Sequence, residues 1–261
     1  ASAYAKSFGG STIFLDEGEQ MSVRDILKGI AVASGNDASV AMAEHIAGTE
    51  AQFVERMNNR AAELKMQNTN FVNCNGLDAD GHYSTARDIA LMSRELMKHN
   101  DIFDFTTIWT DTLRNGSFNL SNTNKLVKFY EGSTGLKTGS TGKAKFCISA
   151  TAKRGNMHLI SVIMAAETSK KRQKDASDLL NYGFSNYEIK NVVKFGDVIS
   201  TIKTEKSDVR EVSVVASGNF DYIHKKTENI KISREINLKK IKVPVNKGDE
   251  AGTLNILVNN E

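Results

Sequence analysis

The chain has 261 residues, 40% of them apolar and 25% charged, with a net charge of +3. That length exceeds one average domain and suits a catalytic domain followed by a small module; the composition supports a sizeable core and excludes a largely disordered chain. Lys and Arg are interleaved with Asp and Glu, which excludes a phosphate-tracking surface, so nucleic acid is not an expected partner.

Ala1 to Lys6 carries neither an initiator Met nor a basic stretch followed by an apolar run, so the chain reads as mature or truncated. No later stretch approaches the roughly 18 apolar residues of a membrane span. Ser22 is a candidate N-cap, with Asp25 three residues on and Val23, Ile26, Leu27 and Ile30 at helical spacing, which predicts a helix ending near Ala33. Ser34-Gly35-Asn36 interrupts it, and Asp37 to Ala47 resumes with Val40, Ala43 and Ala47 on one stripe before Gly48, a candidate C-cap. Thr49 and Gln52 form a second capping box ahead of Phe53, Met57, Ala61 and Leu64, and Ser84 to Lys98 reads as a fourth helix entered from the loop Asn73 to Gly81.

Periodicity gives no assignment for Ser117 to Lys137. Phe146 to Ala152 and Met157 to Ala165 are rich in strand formers and flank Lys153-Arg154-Gly155-Asn156, which predicts an antiparallel hairpin in a sheet shared with the strand at Gly139. Ser169 to Tyr182 reads as a helix stopped by Gly183, and the first domain is expected to span 1–187. In 188–261, short alternating segments at Val192 to Phe195, Val209 to Val215, Ile230 to Ile232, Ile241 to Val243 and Leu254 to Val258 predict a small all-β module. Pro244 and Lys239-Lys240 suit its solvent-facing edges.

Cys74 and Cys147 lie far apart and outside any C-x-x-C arrangement, so they support neither zinc binding nor a redox pair and read as buried free thiols. No metal or cofactor is expected. Ser34-Gly35-Asn36 by itself is ordinary turn vocabulary, and Lys137-Thr138-Gly139 by itself is a strand start with a solvated lysine. In this order, one in a helix-loop-helix and the other ahead of a hairpin, they match two of the three motifs of penicillin-recognising serine enzymes. Gly9 to Thr12, Asp25 to Gly48, Asn70 to Gly76, His82 to Ala86, Thr134 to Thr141, Ala152 to Arg154, Lys170 to Arg172 and Tyr182 to Phe184 extend the match. Over almost its whole length the chain resembles the D-alanyl-D-alanine carboxypeptidases, low-molecular-weight penicillin-binding proteins.

The resemblance implies an α+β, β-lactamase-like antiparallel sheet flanked by helices, then the β module. It implies a serine that attacks the bond between two D-alanines of a peptidoglycan stem peptide, an acyl-enzyme hydrolysed by water, and acylation by β-lactam antibiotics. Ser34 then matches a proton-shuttling hydroxyl and Asn36 an amide that binds the substrate peptide and steadies the lysine base. Lys137 supplies a positive field for the substrate carboxylate, Thr138 a hydroxyl, and Gly139 room beside the strand edge. Ser140 gives a backbone N-H to the oxyanion hole, and Arg172 helps hold the terminal carboxylate. A solvated helix position among Lys170, Lys171 and Lys174 is the plainer account of Arg172.

The motif S-x-x-K that carries the acylated serine does not occur ahead of Ser34, so the resemblance implies that the N-terminal strands and nucleophile helix precede Ala1. These residues alone are expected to form no stable acyl-enzyme, since losing the nucleophile costs on the order of a million-fold in turnover. Ser2 and Lys6 are expected on the surface. No G-x-S-x-G elbow is present, so His45, His82 and His158 are expected at surface positions. The family also implies a site at the outer face of the bacterial cytoplasmic membrane, with peripheral membrane association through a further C-terminal segment. Two alternatives are a non-catalytic wall-binding or penicillin-sensing module and a β-lactamase-like acyl-serine hydrolase; the β module and Arg172 argue against the second.

Overall fold

Ser22, Thr49 and Thr85 each turn a hydroxyl onto the amide three residues ahead, at 3.1, 3.2 and 3.2 Å, and each opens a helix. These helices are α2 (Val23–Ala31), α4 (Glu50–Glu63) and α5 (Ala86–Leu96), with α1 (Ala3–Lys6) before them and α3 (Asn36–Ala47) between. Gly48 ends α3 with φ +87°, as its C-cap position predicts. The computed structural model describes residues 1–203, 209–240 and 244–259, so the strand expected at 241–243 lies outside the described residues. The chain divides into two compact units, Ala1–Gly183 and Phe184–Glu261.

In the first unit, α6 (Phe103–Thr106) and the hairpin of β1 (Thr110–Leu113) and β2 (Phe118–Ser121) follow α5, and β2 and α7 (Leu126–Phe129) fall in the stretch Ser117 to Lys137 for which periodicity gave no assignment. Leu113 and Leu120 of that hairpin join Ile13, Leu15, Ile26, Val32 and Ala38 in one buried cluster. An antiparallel sheet follows, in the order β3 (Ser133–Thr141), β4 (Lys145–Arg154), β5 (Met157–Ala166). Helix α5 packs on β4 and β5, and Ser93 on α5 and Ser149 on β4 share a buried 2.7 Å hydrogen bond. No described strand pairs with the outer edge of β3.

Helix α8 (Ser169–Asn186) passes through Gly183 instead of stopping there. A Cβ at Gly183 would stand 2.5 Å from Cδ1 of Leu159 on β5, so the glycine serves a close approach of helix to sheet and not a cap. In the second unit β6 (Tyr187–Val193) pairs with β9 (Phe220–Lys225), β7 (Val198–Lys203) with β8 (Glu211–Val215), and β10 (Ile232–Leu238) with β11 (Gly252–Val258), all antiparallel. Val192, Val193 and Ala216 are its buried centre, packed by Ile199, Tyr222, Ile232, Leu254 and Ile256. Helices and antiparallel sheet followed by a module of strands are the α+β architecture expected. Both cysteines are free, but each is half-buried and not enclosed as expected. No helix among the described residues is long and apolar enough to cross a membrane.

Candidate active site

The turn between α2 and α3 is packed too closely for most side chains. A Cβ on Gly35 would meet Asp37 Oδ1 at 3.0 Å and the Ala38 methyl at 3.1 Å. Asp37, 1% exposed, lies under this turn and accepts hydrogen bonds from the amides of Ile13 (3.1 and 3.2 Å), Leu15 (3.0 Å) and Ala38 (2.8 Å). The Asn36 amide donates to Gly9 O at 2.8 Å while its backbone N-H donates to Ser11 O at 2.8 Å. The segment Gly9 to Leu15 is thereby fastened beneath the turn, and Ser34 is held with φ +59°, a left-handed conformation costing on the order of 1 kcal/mol for a residue with a side chain.

Opposite this turn runs β3. Lys137 directs its ammonium at Ser34: Nζ donates to Ser34 Oγ and, at 2.8 Å, to Thr138 O. Burial first, and the Arg172 guanidinium second, push the Lys137 pKa down from 10.5 to about 8. The residue keeps some exposed surface, but its ammonium is withdrawn from bulk water. Thr138 is 7% exposed and its hydroxyl bonds to that of Thr123, which ties the loop before α7 to the strand. Gly139 and Ser140 are exposed, and a Cβ added to Gly139 would meet nothing within 4 Å.

Arg172 does not lie in solvent with its lysine neighbours. It is 4% exposed, and Nη1 donates to Gly139 O and Cys147 O, both at 3.2 Å, with Nη2 donating to Ser169 Oγ at 3.2 Å. Gly139 and Cys147 face each other across β3 and β4, so the guanidinium staples the two strands where the cleft opens. Burial holds its pKa below the usual arginine range.

Ser34, Asn36, Lys137, Thr138, Gly139, Ser140 and Arg172 all line one cleft of about 850 Å³. The loop Asn73 to Leu77 also walls it, fastened to the β3–β4 turn by Asp78, which accepts from the Thr141 hydroxyl at 2.6 Å and the Lys143 amide at 3.0 Å. Sequence reasoning missed Asp37, Asp78, Thr123 and Lys125; none stands in a motif, and each is placed by tertiary contacts. His45 is exposed, as expected, but His82 and His158 are half-buried: His82 Nδ1 accepts from Val72 N, and His158 bonds Thr134 at 2.8 Å. Burial lowers the pKa of both. Lys6 is exposed and paired with Asp16 at 2.9 Å, while Ser2 is half-buried, capping α1 and donating to Glu44 at 2.7 Å. No group of three or more His, Cys, Asp or Glu side chains among the described residues could hold a metal ion.

The cleft thus brings a hydroxyl against a lysine of lowered pKa, beside a strand edge that no described strand pairs. The sequence profile of the D-alanyl-D-alanine carboxypeptidases matches residues 1–168, and that of the C-terminal domain of penicillin-binding protein 5 matches residues 187–261. The chain belongs to the D-alanyl-D-alanine carboxypeptidase family. It is 45% identical over 258 residues to the D-alanyl-D-alanine carboxypeptidase DacF of Bacillus subtilis, covering 97% of the chain and 66% of the relative. With DacC of Escherichia coli the identity is 33% over 254 residues, covering 96% and 63%. The chain thus spans just under two thirds of the length of these relatives. Penicillin-binding protein 5 of Haemophilus influenzae superposes with a TM-score of 0.76 at 32% identity, covering 97% of this chain and 74% of that one. Penicillin-binding protein D2 of Listeria monocytogenes, in its ampicillin-bound form, gives 0.62 at 35% identity, covering 68% and 74%.

Proposed function

We propose that the protein is a serine-type D-Ala-D-Ala carboxypeptidase that removes the terminal D-alanine from peptidoglycan stem peptides and is acylated by β-lactams. The contact between Lys137 Nζ and Ser34 Oγ at the cleft carries this reading, because it couples a hydroxyl to a lysine poised near neutral pH. In the reaction a serine Oγ bonds to the carbonyl carbon of the penultimate D-alanine, and the peptide C–N bond breaks. The terminal D-alanine departs with a proton on its amine, and water then hydrolyses the ester. None of the residues placed round the cleft is assigned as that nucleophile.

Ser34 relays the proton to the leaving amine, and Lys137 sets the protonation of that hydroxyl while attracting the terminal carboxylate. Asn36 steadies the substrate peptide. Substrate lies along the free edge of β3 as an added strand, where Gly139 leaves it room and the Ser140 N-H polarises the scissile carbonyl. Thr138 fixes the register of that edge through Thr123. Arg172, engaged with Gly139 and Cys147, acts on the carboxylate through its charge and through the shape of the strand. The catalytic part corresponds to 1–187 and the β module to 188–261, acting outside the cytoplasmic membrane with peripheral attachment to it. The test is D-alanine release from an acyl-D-Ala-D-Ala peptide by the whole protein, together with covalent labelling by fluorescent penicillin. Release and labelling support the reading, and absence of both in correctly folded protein sinks it.

A further inference from the structure

Among the described residues three Lys or Arg side chains line the cleft, Lys125, Lys137 and Arg172, and no Asp or Glu does. Two of the three are committed: Lys137 to Ser34 and Thr138, Arg172 to the carbonyls of Gly139 and Cys147. The side chain of Lys125 has no hydrogen bond or ion pair among the described residues, and it is exposed. Its backbone is nevertheless fixed. Asn122 donates to Ile108 O at 2.8 Å and accepts from the Asn124 amide at 2.8 Å, and Asn124 accepts from the Leu126 amide at 3.1 Å. Burial alternates through this stretch: Asn122, Asn124 and Leu126 are enclosed, whereas Thr123 and Lys125 are exposed. Thr123 on that open side bonds to Thr138 of β3, so the pinned segment delivers Lys125 to the same cleft.

An unpaired ammonium carried on a pinned backbone, in a cleft lined by no described carboxylate, favours a ligand with more than one negative charge. Like charges crowded together raise the free energy of the empty site, and a ligand carrying only a terminal carboxylate offsets one of them. We propose that Lys125 is a specificity-determining residue that binds a second carboxylate on the substrate, separate from the terminal one. Resting on the carboxypeptidase reading, this places the second carboxylate on a residue upstream of the D-Ala-D-Ala pair, because the C-terminal residue has no other. The preferred substrate class is therefore the acidic stem peptide, and amidation of its upstream carboxylate weakens binding.

The test compares two acetylated peptides ending in D-Ala-D-Ala, identical except that the residue before the D-alanines carries a free side-chain carboxylate in one and its amide in the other. Each is titrated calorimetrically into the 261-residue chain. The ratio of the two Kd values within one protein sample cancels differences in folded fraction. The wild-type chain should bind the acid about threefold to fivefold more tightly, the range of a solvent-accessible ion pair, and added salt should shrink the ratio. Lys125→Gln should bring the ratio to one and Lys125→Glu should invert it, while Lys128→Gln, at a neighbouring exposed lysine, should leave it as in the wild type. A wild-type ratio of one, or a ratio that survives in Lys125→Gln, overturns the inference while leaving the carboxypeptidase reading in place. Binding of neither peptide to the wild-type chain overturns the inference as well, while the carboxypeptidase reading stands or falls on the assay of the whole protein.

Discussion

Ser34 and Lys137 are 103 positions apart in the chain, yet the lysine ammonium donates a hydrogen bond to the serine hydroxyl. The two come from independent elements, a helix-helix turn and a sheet edge, so their contact depends on the packing of the whole first unit. The serine makes this contact from a left-handed conformation, φ +59°, that its side chain disfavours.

Lys137 makes this contact at a cost to stability that pH should reveal. Burial, and then the neighbouring Arg172, lower its pKa to about 8 from 10.5. Between those values the unfolded chain binds more protons than the folded one, so the penalty is fully present below pH 8 and is relieved as pH rises towards 10.5. The melting temperature of the wild type should therefore climb relative to that of Lys137→Met across this window. Calorimetric scans of both proteins measure the difference, and a pH-independent difference would contradict the assignment.

Asp37 should matter more for stability than any other residue of the Ser34 turn. Asp37→Ala would leave the amides of Ile13, Leu15 and Ala38 buried without their acceptor, costing about 3 kcal/mol. Urea unfolding followed by tryptophan fluorescence should show a lower midpoint with an unchanged slope, and a midpoint within error of the wild type would refute the role.

Arg172→Lys preserves charge but cannot reach both Gly139 O and Cys147 O in the same geometry. A loss of about 1–2 kcal/mol is expected, with weaker peptide binding. If the arginine acted as a point charge alone, the lysine variant would match the wild type in both measurements.

Asp78 should hold the loop Asn73 to Leu77 against the β3–β4 turn. In Asp78→Ala the Lys143 amide loses its acceptor, and its hydrogen exchange, read by NMR, should accelerate. Unchanged protection at Lys143 would mean that the loop is held by other contacts.

Helices α2, α3 and α4 were legible in the sequence because Ser22, Thr49 and Gly48 announce their ends with local chemistry, and α5 because the loop Asn73 to Gly81 leads into it; its cap, Thr85, emerged only in the structure. The hairpin of β1 and β2 was not, since its two strands hold four residues each and their place is decided by Leu113 and Leu120 reaching a distant cluster. Gly183 misled for a related reason: a glycine late in a helix reads as a stop, and only Leu159, on another element, explains it. In the second unit β7 and β9 went unread because polar residues and Lys break their alternation. The motif residues of the cleft were visible as motifs, but their support was not. The burial of Arg172 and the anchoring of Lys125 by Asn122 and Asn124 arise from contacts that no local pattern encodes.

That Ser34 and Lys137 share one cleft for a peptide's terminal carboxylate is tested most directly by comparing kcat/KM of the whole protein for an acyl-D-Ala-D-Ala peptide and for its C-terminal amide. The wild type should strongly prefer the free acid, and Lys137→Met should lose both most of its activity and that preference. Equal turnover of acid and amide by the wild type, or a preference that persists in Lys137→Met, would contradict the account.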